Sequence, residues 1–320
     1  MTVSPGSRAR LGLPDLGVGV GLRVPHYRHV LSERPEVDFF EVISENFMVQ
    51  GGKPRYHLAR VLESYRVVQH GVSLGIAGPE PLNREYLKRL KELLAQVKPP
   101  WLSDHFCWSG AGGAHLHDLL PIPYTKQAVD RIVERAREVQ DFLELRFVLE
   151  NTSSYLTFKS STLSEWEFIG EIAERADIGL LFDVNNVYVS AYNHGFDPYE
   201  FVEHVPHERI VQIHLAGHTN LGAYIIDTHR GQVIPPVWDL YRRTLELTGP
   251  VSTLIEWDDE IPAFNVLLAE TEKARAVRAE VRTGKRLTPI ARGVPAQGPP
   301  EHAAHGWLQG GPRETPSTEA

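Results

Sequence analysis

The stretch IGLLFDVNNVYVSAYNHGFDPYE, Ile178 to Glu200, decides the fold. Its first residues, Ile178 to Phe182, are apolar without alternation, the pattern of a strand covered on both faces. The strand runs directly into a polar knot of Asp183, Asn185, Asn186, Asn193 and His194. Polar groups beside a buried strand cost free energy unless something binds them. The stretch ends on Asp197-Pro198-Tyr199-Glu200, a helix start with an Asp cap, Pro at the first position and Glu at the third. A buried strand, polar residues at its carboxyl end and then a helix make one β/α unit.

Working outward, the same unit recurs. Further apolar runs are VGVGLRV from Val18, DFFEVIS from Asp38, RVVQHGVS from Arg66, WLSDHFCW from Trp101, RFVLEN from Arg146, RIVQIHLAG from Arg209 and STLIEWD from Ser252. Helical segments separate them. Leu87, Leu90, Leu94 and Val97 share one helix face, as do Val129, Ile132, Val133, Ala136 and Val139. A long last helix is expected from about Ala263 to Arg282. Eight strands alternating with helices over roughly 270 residues predict an α/β fold of the TIM type, a (β/α)8 barrel. A doubly wound open sheet is the structural alternative, but no glycine-rich phosphate loop opens a helix after a strand. The expected organisation is an N-terminal extension over 1–16, the barrel over 17–284, and a disordered tail over 285–320. That tail holds six Pro and five Gly between Arg286 and Ala320 and has little apolar periodicity.

Composition narrows the function. With 42% hydrophobic and 23% charged residues, the chain of 320 residues can bury a large core. A formal charge of −8 argues against a nucleic-acid partner. The single Cys107 excludes a disulfide framework and a thiolate metal cluster. The apolar run LGVGVGL is too short for a membrane span and is interrupted by Arg23, so a cytoplasmic protein is expected.

In a barrel, chemistry sits at the carboxyl ends of the strands. There the sequence places His70, Asp104-His105, Glu150-Asn151, Asp183, His214 and Glu256-Trp257-Asp258, while loops add His194, His218, Asp227 and His229. Imidazoles and carboxylates without thiolates suit iron, manganese or zinc. One ion needs about four ligands, so this many candidates points to two or three ions with bridging carboxylates such as Glu150 or Asp183. A lone strand-end His is more often a hydrogen-bonding residue than a ligand. Several strands each supplying one weakens that reading for His70, His105, Glu150, Asp183, His214 and Glu256. Spacing alone leaves Asn186, His194, Asp227 and His229 open. Arg23, His26, Glu45 and Asn46, at the ends of the first two strands, are candidate substrate contacts. His115 and His117, in a glycine-rich loop, are read as loop residues, and Cys107 as a buried small hydrophobe.

At these residues the chain resembles the domain-of-unknown-function 692 family, the multinuclear non-haem iron-dependent oxidative enzymes that include the methanobactin-biosynthesis oxidase. The resemblance rests on GVGLRVPHY from Gly19, SENF from Ser44, HGVSL from His70, SDHFCW from Ser103, LLPIPYT from Leu119, LENTSSY from Leu149, DVNNVYVSAYNHGFD from Asp183, IHLAGH from Ile213, DTH from Asp227 and IEWD from Ile255. It implies a barrel holding two or three irons and using O2. Its metal-binding positions fall on His70, His105, Glu150, Asp183, Asn186, His194, His214, Asp227, His229 and Glu256. It further implies a ribosomally made precursor peptide as substrate, modified at cysteine, and a separate protein that captures the leader peptide. The rival readings are a zinc or manganese hydrolase or isomerase on the same barrel and a non-catalytic metal-binding protein. Against an isomerase, no Lys stands at a strand end.

Overall fold

A computed structural model describes residues 10–112 and 114–284. Eight parallel strands form a closed barrel in sequence order. They are β1 (Val18–Gly21), β2 (Phe39–Ile43), β3 (Arg66–His70), β4 (Leu102–His105), β5 (Phe147–Glu150), β6 (Gly179–Asp183), β7 (Ile210–Ala216) and β8 (Ser252–Glu256). The ring closes where β8 pairs with β1, Thr253 opposite Val18 and Ile255 opposite Val20. That closure rules out the open sheet and establishes the TIM-type barrel.

Helices cover the outside: α1 (Tyr27–Glu33), α2 (Gly52–Leu62), α3 (Arg84–Val97), α4 (Lys126–Leu143), α5 (Glu165–Ala176), α6 (Val184–His194), α7 (Pro198–His204), α8 (Pro235–Thr248) and α9 (Phe264–Thr283). Their starts follow capping chemistry. Asn83 Oδ1 accepts the amides of Glu85 and Tyr86 at the head of α3, and Ser164 and Glu167 form a reciprocal capping box on α5. The faces expected from periodicity are the buried ones: Leu87, Leu90, Leu94 and Val97 on α3, and Val129, Ile132, Val133, Ala136 and Val139 on α4. Asp197 caps α7 through the Tyr199 amide at 2.9 Å.

Two stretches differ from the sequence expectation. WLSDHFCW is not one strand: β4 stops at His105, and Trp108–Ala111 pairs with Ala114–Leu120 as a hairpin projecting from the loop. The polar knot after Asp183 is not a loop but α6, buried from Val184 to Tyr192. A second small hairpin, Thr219–Asn220 with Ile225–Ile226, follows β7. The side chains of His115 and His117, and residues 285–320 of the expected tail, lie outside the described residues.

The barrel interior is layered. Phe39, Val68, Trp101, Val148, Leu181, Val211 and Leu254, one from each of the seven successive positions β2 to β8 round the wall, form an apolar plug with Leu16. Burying each such side chain contributes about 1.5–3 kcal/mol. Gly19 leaves room for Phe39, whose ring and carbonyl a Cβ there would strike. Leu16, from the segment before β1, closes the floor and donates its amide to Ser252 Oγ at 2.9 Å. Residues two apart on a strand face the same way. One step above the plug, on those same strands, stand Glu41, His70, Ser103, Glu150, Asp183 and Glu256. Strand alternation therefore builds a polar floor directly on an apolar one.

Candidate metal centre

The site begins with two histidines. The Ser103 hydroxyl donates to the Gln69 carbonyl at 3.3 Å, so it accepts from His70 Nδ1 at 2.8 Å. His105 Nδ1 donates to the Gly71 carbonyl at 3.1 Å. Both rings thus turn Nε2 inward, where the two atoms lie 3.3 Å apart and 3.3 and 3.4 Å from Glu150 Oε2. Two imidazole nitrogens facing one carboxylate oxygen is a ligand set.

Glu150 reaches a second group. Its Oε1 lies 3.7 Å from His214 Nδ1, which is 3.0 Å from Glu256 Oε2. Asp183 completes this group. Glu256 then reaches a third: Oε2 is 3.4 Å from His229 Nδ1, itself 3.3 Å from Asp258 Oδ2. Within each of the three groups the ligand atoms lie within 4.8 Å of one another. Glu150 is common to the first and second, and Glu256 to the second and third. The groups therefore form a chain with carboxylates at the joints.

Local structure holds these atoms in place. Asn151 clasps the end of β6 through two 2.9 Å bonds, its Nδ2 to the Asp183 carbonyl and its Oδ1 from the Asp183 amide. Asp183 also caps α6, with Oδ1 accepting the Asn186 amide at 2.6 Å. His229 has φ +48°, a left-handed conformation unusual outside Gly, Asn, Asp and His, and its carbonyl accepts the Asp258 amide. Such a backbone costs about 1–3 kcal/mol and persists where its surroundings enforce it.

The polar atoms are a poor match for one another without a cation. Glu150 Oε2, Asp183 Oδ2 and Asn186 Oδ1 are buried and make no hydrogen bond, while His214 Nδ1 and His229 Nε2 have only carboxylates for partners. Unsatisfied buried groups in this number are costly, and cations would satisfy them. The donors are nitrogen and oxygen only, a set that fits iron, manganese or zinc. Titration tells the same story. Burial, opposed by His105 and His214 and reinforced by Glu256, pushes Glu150 to about 7. Burial and then Glu150 and Asp227 hold Asp183 well above the usual carboxylate range. Burial would lower His105, but Glu150 and Asp104 outweigh it and bring the ring to about 9. Against burial, Glu41 with Glu256 keeps His214 charged, and Asp227 with Glu256 keeps His229 charged. Glu256 is held well below its usual value, because His229 and His214 outweigh its burial. Protons stand where cations would.

Of the ten residues expected as ligands, His70, His105, Glu150, Asp183, His214, His229 and Glu256 belong to the three groups. Asp227 adjoins them, with Oδ1 3.0 Å from His229 Nε2. Asn186 adjoins Asp183 and donates Nδ2 to the Asn151 carbonyl at 3.0 Å. His194 stands apart. It ends α6, about 16 Å along the helix from Asp183 at 1.5 Å per residue, and its Nε2 lies 2.9 Å from Ser154 Oγ. Among the expected substrate contacts, Arg23 is buried, with Nε paired to Asp258 and Nη2 3.2 Å from Glu256 Oε1. His26 Nε2 is 2.8 Å from the Pro262 carbonyl. Glu45 Oε1 accepts the Val72 amide and the Tyr86 hydroxyl, at 2.9 and 2.7 Å. Asn46 is exposed. Sequence reasoning missed Glu41, fully buried below His214. The only signal was a single charge inside the apolar run DFFEVIS.

A closed parallel barrel with chained histidine–carboxylate groups at its carboxyl mouth is the class that fold and site define. The chain belongs to the family described as RiPP precursor modification enzyme MbnB/TglH/ChrH, which matches residues 17–279. These enzymes act on precursors of ribosomally made, post-translationally modified peptides. A UPF0276 protein of Anaeromyxobacter sp. (strain Fw109-5) is 50% identical over 264 residues, covering 82% of this chain and 93% of that protein. A UPF0276 protein of Caulobacter vibrioides is 49% identical over 272 residues, 85% and 97% of the two chains. Among solved structures, an L-ribulose 3-epimerase superposes with TM-score 0.55 at 14% identity over 85% of this chain and 99% of its own. D-psicose 3-epimerase of Clostridium cellulolyticum H10 gives 0.53 at 13% over 84% and 99%. At that identity these two share the fold alone. Among the described residues no helix is long and apolar enough to cross a membrane.

Proposed function

We propose that this protein is an iron-dependent, O2-using enzyme that oxidises a ribosomally made precursor peptide at cysteine, with a separate protein presenting the leader. The observation that carries the reading is the chain of three groups joined by Glu150 and Glu256. Shared carboxylates hold cations close enough to act together, which a single structural ion does not require. His70, His105 and Glu150 would hold one ion, Glu150, Asp183, His214 and Glu256 a second, and His229, Glu256 and Asp258 a third. When bound, iron supplies one-electron redox chemistry, an O2 site and a Lewis acid for a thiolate.

The remaining work falls to the chain. The apolar plug below and the barrel wall keep water from the floor of the site. The loops above suit a peptide: Val24, Val49, Leu116, Tyr155, Leu221 and Tyr224 are all exposed and lie on segments following β1, β2, β4, β5 and β7. Exposed apolar side chains on the loops that follow strand carboxyl ends offer contacts to such a peptide. Arg23, His26, Glu45 and Asn46 are proposed to serve the substrate, Asn46 by contact from the exposed rim and the other three from behind it, held by their partners within the protein. The protein is proposed to act in the cytoplasm.

The test is anaerobic purification, metal analysis and Mössbauer spectroscopy, followed by O2 uptake with a Cys-containing precursor peptide. Iron-dependent uptake supports the reading. Equal turnover by zinc-loaded protein would overturn it in favour of hydrolysis.

A further inference from the structure

We propose that Glu41 is a positioning residue for this centre: its carboxylate accepts a hydrogen bond from the Nε2–H of His214 and so leaves Nδ1 free to bind the cation. The inference rests on the reading of the three groups as a metal centre.

Below the site runs a buried polar file that the proposed chemistry does not use. The Trp101 indole donates to Gln212 Oε1 at 2.8 Å. An indole N–H can only donate, so Gln212 must turn its NH2 the other way. That NH2 donates to Glu41 Oε2 at 2.6 Å. The same oxygen lies 3.2 Å from His214 Nε2. Trp101, Glu41, Gln212 and His214 are all essentially inaccessible to solvent, so their polar atoms are satisfied by one another and not by bulk water.

The consequence concerns His214. The Gln212 NH2 also lies 2.9 Å from its Nε2. A cation at Nδ1 takes the place of the proton on that nitrogen, so the one proton the ring keeps must sit on Nε2. Gln212 cannot accept it, since Trp101 holds its oxygen away. Glu41 is the acceptor at hand. A carboxylate receiving the far N–H of a ligating imidazole fixes the ring and raises its basicity. The polar file thus selects Nδ1, the atom that faces Glu150 and Glu256.

Cobalt(II), titrated into metal-stripped full-length protein, tests this through binding and its visible absorption band. Glu41→Leu is expected to weaken one ion by about 10–100-fold and to shift that ion's band while the His70–His105 ion is unchanged. Glu41→Gln, whose amide oxygen still accepts the proton, is expected to recover most of the affinity. Its band should differ from wild type, because a neutral oxygen polarises the ring less. Wild-type affinity and band in Glu41→Leu would overturn the inference. Should that variant not fold, a wild-type band in Glu41→Gln overturns it equally. Failure of the wild-type protein to bind cobalt at all would instead sink the metal centre itself.

Discussion

Glu150 and Asp258 are both acids of the centre, yet they should fail differently. Glu150 joins two groups and Asp258 belongs to the outermost one. Glu150→Gln keeps the shape of the side chain and removes its charge, so both neighbouring groups lose a donor. The expected result is loss of at least one ion and a fall in activity beyond the roughly 100-fold that outer partners cost. Asp258→Asn should empty the outer group alone. Metal content after gel filtration separates the two, and equal losses would contradict the linked arrangement. Residue types at strand ends were legible for a physical reason: alternation along β3, β5, β6 and β8 places the acid or imidazole two residues above an apolar plug residue. Glu41 was hidden because its partner His214 is 173 positions away, and nothing local marks a charge as paired. His194 was drawn into the ligand set by motif resemblance, whereas helical rise carries it away from Asp183.

The elements that carry the outer group are held by a close approach. Gly217, just past β7, lies against the carbonyls of Arg230 and Gly231, where a Cβ would drive into backbone. That contact seats the segment bearing Asp227 and His229, which also bridges to the loop after β8 through Arg230 and Asp259. Gly217→Ala should displace this segment at a cost of about 1–3 kcal/mol. Thermal unfolding would show the destabilisation, and metal content the loss of the outer ion with the inner ones kept. Retention of all ions would show that the segment is not held there. Strands and most helices were readable because continuous apolar runs and 3.6-residue periodicity reflect burial directly. The hairpins at Trp108–Leu120 and Thr219–Ile226 were not, since pairing between short loop segments leaves little periodicity. Nor was α6, which is buried nearly all round and so lacks the polar face by which a helix declares itself.

For the whole molecule, closing the barrel forces acids and imidazoles from strands far apart in sequence into one dry volume, and its charge balance couples stability to pH. His105 titrates at about 9 in the folded chain against an ordinary value of 6.5. The folded protein therefore holds a proton that the unfolded chain has lost between those values. The resulting stabilisation is complete below 6.5 and is lost as pH rises through 9. Glu150, raised from 4.5 to about 7, acts in the same direction earlier, its contribution fading as pH passes 7. His70 and Glu256 are shifted downward, so their effects fall at lower pH and leave the interval from 7 to 9 to His105 and the other raised histidines. Metal-stripped protein should accordingly lose thermal stability from pH 7 to pH 9. Ions bind the deprotonated ligands, so their stabilisation, about 2.7 kcal/mol at a hundredfold excess over Kd, should grow over the same interval. Unfolding curves of stripped and anaerobically iron-loaded protein at pH 7, 8 and 9 should therefore diverge. Curves that stay parallel would mean that protons and cations do not compete for these side chains, and the centre would have to be sought elsewhere in the fold.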